Sequence, residues 1–215
     1  MKKIYIVGAG GFGREIVWLI ERINEETPTW DIAGFIDDDV SIHGKAENGY
    51  WVLGGCEYFS KIKEEVWVVC SIGCANVRKQ VIQKLQKYEN INYATLIDPS
   101  VINSKRVIIG EGSIVCAGSI ITVNVSIGNH VIVNLDCTIG HDANICDYVT
   151  LYPSVNISGN VMIEENVELG TGTQIIQGKR IGKGTIVGAG AVIVTDLPPK
   201  CTAVGCPAKP IKFYE

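Results

Sequence analysis

The chain has 215 residues and a formal net charge of −4, with 19 Lys and Arg against 23 Asp and Glu. This slightly acidic balance argues against an electrostatic nucleic-acid partner, because a run of phosphates needs a basic surface. The longest apolar runs have the length of strands, so the sequence predicts no transmembrane helix, and the first of them, over 4–7, is too short for a signal peptide.

The N-terminal part alternates predicted strands and helices. The apolar run over 4–7 is typical of a buried parallel strand, and a glycine-rich turn and a helix over 14–23 follow it. A second strand over 32–36 ends in three aspartates, and the polar stretch over 41–55 predicts an exposed loop. The remaining predicted elements are a third strand over 66–70, a helix over 75–88 and a fourth strand over 93–97. This alternation predicts a small parallel sheet with helices on both faces.

Gly8, Gly10 and Gly13 form a GxGxxG motif between the first strand and the first helix. Free N–H groups at the helix N-terminus can bind a phosphate there, and Asp37 or Asp38 can accept hydrogen bonds from a ribose. The alternative is a tight glycine turn beside a solvated acidic loop. The order of strand, helix and acid favours nucleotide binding. Only one mononucleotide half precedes the repeat described below, which favours a mononucleotide or nucleotide sugar over NAD.

Gly73 follows the third predicted strand, and Arg78 lies in the first turns of the next helix. These residues either close the other side of the same pocket, with Arg78 binding a phosphate, or are a turn glycine and a surface arginine. The sequence leaves both interpretations open.

From residue 109 the chain follows a strict six-residue repeat. Every sixth residue is Ile, Leu or Val, and we call these the rung positions. They are Ile109, Val115, Ile121, Ile127, Val133, Ile139, Ile145, Leu151, Ile157, Ile163, Leu169, Ile175, Ile181, Val187 and Ile193. A period of six fits neither a helix nor a simple strand, and it predicts a solenoid of stacked coils in which the rungs pack on one another.

A second register supports the solenoid. Four residues after nearly every rung position stands a small or β-branched residue, as at Ser113, Cys137 and Thr173. In each repeat the second-register residue and the next rung both point inward and are separated by one outward residue, as in a short strand. The other three residues of the repeat form an exposed corner. Lys179 breaks this second register, so we expect a bulge or loop there.

The chain has three histidines, His43, His130 and His141. His43 falls in the predicted loop, and His130 falls at an exposed corner. His141 also lies at a corner, directly before Asp142. If three six-residue sides make one coil, Gly159 stacks on His141 and leaves room for a slender ligand. A lone corner histidine is either a solvated residue or a catalytic base, and spacing alone favours the solvated residue.

The stretch over 138–161, with Gly140-His141-Asp142 and Ser158-Gly159-Asn160, resembles the bacterial nucleotide-sugar N-acetyltransferases. These enzymes acetylate UDP-4-amino-sugars or GDP-perosamine and belong with the sialic acid O-acetyltransferase-like proteins. The glycine-rich start and the C-terminal motif Gly205-Cys206-Pro207-Ala208-Lys209 match too, so the likeness covers nearly the whole chain. It implies a Rossmann-like nucleotide-sugar-binding domain over 1–98. A left-handed parallel β-helix with a C-terminal cap is implied over 99–215.

The resemblance also implies the roles of individual residues. His141 matches the general base of the family, and Asp142 matches an acidic neighbour that supports it. The residues implied to bind the nucleotide sugar are Gly10, Gly11, Phe12, Asp37, Asp38 and Gly73. Those implied to bind acetyl-CoA are Thr150, Gly159, Thr171, Gly188 and Ala189. No metal is implied.

Three residues depart from the family pattern. Thr150 stands where several relatives have a second histidine that touches the acetyl donor. Asp98 replaces the histidine of an Ile-His-Pro junction, and Cys206 replaces an asparagine of the C-terminal motif. We expect the first change to alter donor contacts or sugar preference and the other two to have little effect.

The expected function is acetyl-CoA-dependent N-acetylation of a nucleotide-linked amino sugar by a homotrimer, for glycan, lipopolysaccharide or capsule precursors. One alternative is O-acetylation of sialic acid or another sugar hydroxyl, and another is a non-catalytic nucleotide-sugar-binding scaffold. A γ-type carbonic anhydrase needs three metal-binding histidines, whereas the repeat has two. The eight scattered cysteines lack the paired spacing of a zinc ribbon, so reduced thiols in the cytoplasm are expected.

Overall fold

A computed structural model describes residues 1–214, which form two compact units. The first unit is Met1–Pro99, and the second begins at Ser100. Within the described residues, no helix has the length and apolar character needed to cross a membrane.

The N-terminal unit is built on one sheet with two connecting helices. Its strands are β1 (Lys2–Val7), β2 (Trp30–Ile36), β3 (Ala46–Glu47), β4 (Tyr50–Gly54), β5 (Val66–Cys70) and β6 (Ile91–Tyr93), and β7 (Leu96–Ile97) follows them. The sheet order is β3-β4-β2-β1-β5-β6, and all pairs are parallel except the β3–β4 hairpin. Helices α1 (Gly11–Glu26) and α2 (Ala75–Leu85) connect β1 to β2 and β5 to β6. These connections run in opposite directions along the sheet, so right-handed crossovers place the helices on opposite faces.

Aliphatic side chains spaced for burial hold this unit together. Ile16, Leu19 and Ile20 line one face of α1 and are at most 3% exposed, while Ile4 and Ile6 of β1 are fully buried. Burying each such side chain stabilises the fold by about 1.5–3 kcal/mol. The apolar spacing of the sequence therefore identified the core of the unit.

The prediction of an exposed loop over 41–55 is wrong, because this stretch contains a β-hairpin and most of a short 3-10 helix (Val40–Ile42). Strand β4 pairs in parallel with β2, and Val52 on β4 is 1% exposed. Asn48 and Gly49 form the hairpin turn with φ of 45° and 84°. Asn-Gly before an aromatic and aliphatic run is a strong hairpin signal that the sequence did contain.

Three predicted boundaries also differ from the structure. Helix α1 begins at Gly11, three residues before the expected start, so Gly13, the last glycine of the motif, lies in its first turn. Helix α2 ends at Leu85, where the N–H of Tyr88 closes a turn onto its carbonyl. The fourth predicted strand, over 93–97, is interrupted between Tyr93 and Leu96.

The second unit is a parallel β-helix of two-residue strands. They are β8 (Ile102–Asn103), β9 (Ile108–Ile109), β10 (Ile114–Val115), β11 (Ile120–Ile121), β12 (Ser126–Ile127), β13 (Ile132–Val133), β14 (Thr138–Ile139), β15 (Asn144–Ile145), β16 (Thr150–Leu151), β17 (Asn156–Ile157), β18 (Met162–Ile163), β19 (Glu168–Leu169), β20 (Gln174–Ile175), β21 (Arg180–Ile181), β22 (Ile186–Val187) and β23 (Val192–Ile193). Each strand from β8 to β20 pairs with the strand three further along the chain, as β14 pairs with β17 through Thr138↔Asn156 and Ile139↔Ile157. One coil is therefore eighteen residues and three sides.

The inward positions form the core of the β-helix. Rungs such as Val133, Leu151 and Leu169 are fully buried, and the second-register residues are buried with them. Buried hydroxyls in this register are hydrogen-bonded: Ser113 Oγ donates to the Gly128 carbonyl and accepts from the Val131 N–H. A shift of one coil relative to the next would leave these buried hydroxyls without hydrogen-bond partners, which is unfavourable.

Each corner that follows a rung from Ile109 to Val187 contains one residue with a left-handed backbone, three residues after the rung. Asn124, Asp142, Ser154 and Asn160 have φ between 55° and 59°, and glycines such as Gly172 occupy the equivalent position elsewhere. Asn, Asp and Gly tolerate this conformation better than other residues. Most corners have one of these three residues at this position, and His130, Tyr148 and Ser154 are the exceptions.

The prediction of a bulge or loop at Lys179 is wrong. Strands β20 and β21 keep the regular spacing on either side, and the Lys179 carbonyl accepts the Met162 N–H, as the Val161 carbonyl accepts the Asn144 N–H one coil earlier. The Lys179 side chain is half-buried. A lysine can pack its aliphatic stem against apolar surface and leave its ammonium in water, so the repeat continues without an insertion.

The β-helix ends in an antiparallel hairpin of β24 (Cys201–Val204) and β25 (Lys209–Phe213). Strand β24 continues the stack by pairing in parallel with β22. Cys206 lies in the exposed turn of this hairpin.

Candidate functional site

The glycine motif forms a tight turn at the start of α1. A Cβ atom at Gly13 would lie 2.1 Å from the Gly8 carbonyl oxygen, so only glycine allows α1 to approach β1 this closely. At Gly10 and Gly11 the space is open, because a Cβ atom at either position would meet no described atom closer than 4.0 Å. Gly10 caps α1 without a side chain. Gly10 and Gly11 are exposed, and Phe12, in the first turn, is half-buried.

Asp37 and Asp38 lie at the end of β2, next to that turn. Asp37 Oδ2 accepts the Ala9 N–H at 2.9 Å, and its Oδ1 accepts the Asp39 N–H at 2.9 Å. Asp38 Oδ1 accepts the Cys56 N–H at 2.9 Å, and this bond is the largest cause of the lowered pKa of Asp38. The Asp37 carboxylate therefore holds the glycine turn in place.

A cavity of about 250 Å³ lies between the strand ends and α2. Gly8, Asp37 and Asp38 line one side of it, and Gln80 and Lys84 line the other. The Lys84 ammonium lies 3.3 Å from Asp38 Oδ2. Sequence reasoning missed Gln80 and Lys84, although their four-residue spacing puts both on one face of a helix.

Gly73 and Arg78 do not close this cavity, and both interpretations of Arg78 are wrong. Arg78 is 1% exposed and donates through Nη1 to the carbonyls of Ile72 and Gly73, at 2.7 and 2.9 Å. Its guanidinium therefore holds the turn between β5 and α2 instead of reaching a phosphate or the solvent.

His141 and Asp142 form a hydrogen-bonded pair at a corner of the β-helix. His141 Nδ1 lies 2.8 Å from Asp142 Oδ2, and both side chains are 53% exposed. This hydrogen bond is the largest cause of the lowered pKa of Asp142, and a hydrogen bond from Asn124 is the second. An ionised carboxylate only accepts, so in a neutral imidazole Nδ1 carries the proton and Nε2 has the lone pair.

The space above Gly159 is filled by the His141 ring. A Cβ atom at Gly159 would lie 2.4 Å from both Cε1 and Nε2 of His141. The backbone of Gly159 is not left-handed, so a turn does not explain the glycine. Its lack of a side chain instead allows the imidazole to pack against the next coil, in the space expected to hold a ligand.

One face of the β-helix joins His141 to four of the five predicted donor residues. It contains β14, β17 and β20, with His141 and Gly159 in the corners that follow the first two strands. Thr171 lies in the corner before β20, and the Ala189 corner stacks on it through the Gly190 N–H and the Thr171 carbonyl. Gly188 precedes Ala189 in that corner and is bonded to the Ala203 carbonyl.

A groove of about 230 Å³ runs along this face. Its polar lining residues were missed by sequence reasoning; they are Thr138, Asn156, Ser158 and Gln174. Thr138, Asn156 and Gln174 occupy outward positions of the strands, and Ser158 lies in the corner next to Gly159; the inward repeat specifies none of these positions. Isoleucines at 157, 175 and 176 complete the lining of the groove.

His130 is not at an exposed corner. It is 4% exposed and stacks on Tyr148 one coil later, with ring centroids 5.3 Å apart. A Cβ atom at Gly112, one coil earlier, would lie 2.2 Å from its Nδ1. Packing between coils buries this ring, so His130 is a core residue. Within residues 1–214, no cluster of three His, Cys, Asp or Glu side chains could hold a metal ion.

Comparison with known proteins gives matches in both units. Residues 3–85 match the model of the PglD N-terminal domain. A UDP-N-acetylbacillosamine N-acetyltransferase from Bacillus subtilis is 36% identical over 121 residues, which are 54% of this chain and 52% of that protein. The acetyltransferase domain of PglB from Neisseria gonorrhoeae is 30% identical, with 98% of this chain and 99% of that one aligned at a TM-score of 0.88.

The chain belongs to the bacterial nucleotide-sugar N-acetyltransferase family. The expected fold is confirmed: a Rossmann-like parallel sheet precedes a left-handed parallel β-helix.

Two solved members of the family contain ligands. The Neisseria domain was solved with acetyl coenzyme A. A histidine variant of perosamine N-acetyltransferase from Caulobacter crescentus was solved with CoA and GDP-perosamine. That protein is 28% identical to this chain, with 99% of this chain and 98% of the other aligned at a TM-score of 0.87.

Thr150 does not fit the donor contact expected of it. It is fully buried in β16, and β16 belongs to a different face of the β-helix from the groove beside His141. A side chain without exposed surface cannot touch a ligand unless its cover moves. The buried Thr150 side chain therefore offers acetyl-CoA no contact in this structure.

Asp98 has a structural role that the family resemblance did not suggest. It is 2% exposed and accepts two hydrogen bonds from Arg22 of α1, at 2.7 and 3.1 Å. Such a two-point Arg–carboxylate pair is strong and directional. The replacement of histidine at this junction is therefore matched by an arginine partner on α1.

Proposed function

We propose that this protein transfers an acetyl group from acetyl-CoA to the amine of a nucleotide-linked amino sugar. The observation that supports this most is the His141 corner, where Asp142 holds Nδ1 and leaves Nε2 available as a base. Family membership and the ligands of the two relatives support the two substrates.

In the proposed reaction the sugar amine attacks the thioester carbon of acetyl-CoA, and Nε2 of His141 accepts the proton that the amine loses. Histidine suits this step because its proton exchange occurs near neutral pH. The tetrahedral intermediate then expels the CoA thiolate, which takes the proton back from the imidazolium. Asp142 stabilises the imidazolium between the two transfers, and no acetylated side chain is formed.

The acetyl-CoA site is proposed on the face that carries the polar groove. Gly159 beside the base and Thr171, Gly188 and Ala189 at the opposite edge would bind the donor. In the N-terminal unit, Gly10, Gly11 and Phe12 at the start of α1 would bind the nucleotide phosphates. Asp37 and Asp38 in the adjoining cavity would bind the nucleoside.

An amine acceptor is proposed over a hydroxyl acceptor because the related proteins are named as N-acetyltransferases. The test is a panel of UDP- and GDP-linked 4-amino-sugars and their 4-hydroxyl counterparts, each with acetyl-CoA, followed by thiol release. We expect thiol release with at least one amino sugar and none above background with its hydroxyl counterpart. Turnover of hydroxyl sugars alone would support O-acetylation, and binding without turnover would support a scaffold.

The Asp37→Ala variant is expected to weaken nucleotide-sugar binding about tenfold to hundredfold while leaving acetyl-CoA affinity unchanged. The loss arises because two N–H bonds to a charged acceptor disappear and the glycine turn loosens. Calorimetry with each ligand separately measures both affinities.

Asp39→Ala is the matched control for this variant. Asp39 accepts the Ser41 N–H and lies on the same loop, but it does not line the cavity. Equal weakening by the two variants, or loss of acetyl-CoA affinity in Asp37→Ala, would contradict a specific role for Asp37.

A homotrimer with the donor bound between neighbouring subunits, and a cytoplasmic location, are part of the same proposal. The flat sides of the β-helix suit packing between copies. The sedimentation coefficient of the active protein would give the assembly state.

A further inference from the structure

Asn124 completes a chain of hydrogen bonds that ends at the proposed base. It occupies the corner that stacks on the Asp142 corner, one eighteen-residue coil earlier. Its Nδ2 is 3.1 Å from Asp142 Oδ1, while Asp142 Oδ2 is 2.8 Å from His141 Nδ1. The carboxylate is therefore held through both oxygens, one by each neighbour.

The two hydrogen bonds fix the direction of the whole chain. An ionised carboxylate accepts only, so the Asn124 amide must present its NH₂ group and His141 must present Nδ1–H. If the carboxylate turned about its side-chain torsion, Nδ1 would lose its acceptor and the proton could move to Nε2. A proton on Nε2 would remove the lone pair that accepts the amine proton.

The backbone alone gives a competing reason for asparagine here. Asn124 has φ of 57°, and asparagine is favoured at left-handed positions. Glycine satisfies the same backbone at equivalent corner positions, such as Gly178 with φ of 73°. Glycine at 124 would therefore keep the backbone while removing the amide.

We propose that Asn124 is a positioning residue for acetyl transfer: its amide orients the Asp142 carboxylate, which in turn sets the tautomer of His141. This inference rests on the proposed function, because it assigns Asn124 a role in the same reaction. Asn124 acts through Asp142 and touches neither substrate.

The Asn124→Gly variant tests this role, and Asn160→Gly is the matched control. Asn160 lies one coil after Asp142 in the same corner, with φ of 55°. We expect Asn124→Gly to lower kcat about threefold to tenfold, the effect of losing one hydrogen bond, with KM for both substrates and Tm unchanged. Asn160→Gly should change kcat less than about twofold. Equal effects of the two variants would show that only the corner backbone matters.

A double-mutant cycle separates positioning from a general structural effect. In an Asp142→Ala background, Asn124→Gly should cause no further loss of kcat, because its only route of action has been removed. Additive losses would overturn the proposal.

Nitrogen-15 NMR of the His141 ring gives a readout that does not need turnover. Wild type should show the Nδ1–H tautomer, and Asn124→Gly should shift population towards Nε2–H. Identical tautomer populations in the two proteins would overturn the role of Asn124. Absence of acetyl transfer in wild type with this tautomer shift preserved would instead count against the proposed function alone.

Discussion

The His141→Ala variant is expected to lose about 10²- to 10⁴-fold in kcat, the usual contribution of a general base. In the proposed reaction Nε2 of His141 accepts the proton of the amine, while Nδ1 is hydrogen-bonded to Asp142. Its side chain is 53% exposed and supports no core packing, so Tm should stay within a few degrees of wild type. Steady-state kinetics with saturating substrates and thermal unfolding measure the two quantities.

Asp142→Ala provides the graded comparison. It removes the carboxylate that orients the ring but leaves the base in place, so its kcat should lie between those of wild type and His141→Ala. A loss of less than about threefold in His141→Ala would make His141 a bystander. A loss in Asp142→Ala larger than that in His141→Ala would assign the proton transfer to Asp142.

The Gly159→Ala variant is expected to lose about tenfold to hundredfold in kcat with little change in Tm. A methyl group at this position would overlap the His141 ring at 2.4 Å, so the ring must swing out of place. Alanine fits the Gly159 backbone without strain because its φ is not left-handed. The size follows from misplacing a catalytic group by about 1 Å, and kinetics together with thermal unfolding measure it.

Gly178→Ala is the control with the opposite signature. Gly178 has φ of 73°, and its Cβ direction is open. Alanine there should lower the stability by about 1 kcal/mol through backbone strain while kcat is retained. If Gly159→Ala is as active as wild type, the His141 ring does not need its present position. If it mainly loses stability, Gly159 serves the backbone after all.

The coils of the β-helix were predictable because their signal is local and repeated. Each rung, such as Val133 or Leu151, must fill the same inward position, so the six-residue period gives the strands directly. The left-handed corner residues follow the rungs at a fixed distance. The handedness of the coil came from the family resemblance and not from the period.

The environment of single corner residues was not predictable in the same way. His130 and His141 occupy neighbouring positions of similar corners, yet His130 is buried by stacking on Tyr148 and His141 is exposed. The difference depends on residues one coil away. The type of residue eighteen positions away decides whether a corner side chain is buried or exposed. The rung pattern gives no information about that residue.

Buried polar residues were the other source of error. Arg78 binds two backbone carbonyls of its own turn, and Thr150 lies fully buried in a strand. Helical or strand spacing specifies which face a residue lies on, but it does not tell a buried hydrogen-bonded side chain from one that meets a ligand. The glycine turn and Asp37 lie next to each other as expected, because strand and helix ends meet at one edge of a parallel sheet.

The most direct measurement is a crystal structure of the protein with CoA and a nucleotide-linked amino sugar that it acetylates. We predict the sugar amine within hydrogen-bond distance of His141 Nε2, about 2.6–3.2 Å, with the CoA sulfur beside Gly159 and the Nδ1–Asp142 bond intact. An amine that approaches a different base, or a CoA bound to another face of the β-helix, would contradict the proposed acetyl transfer at His141.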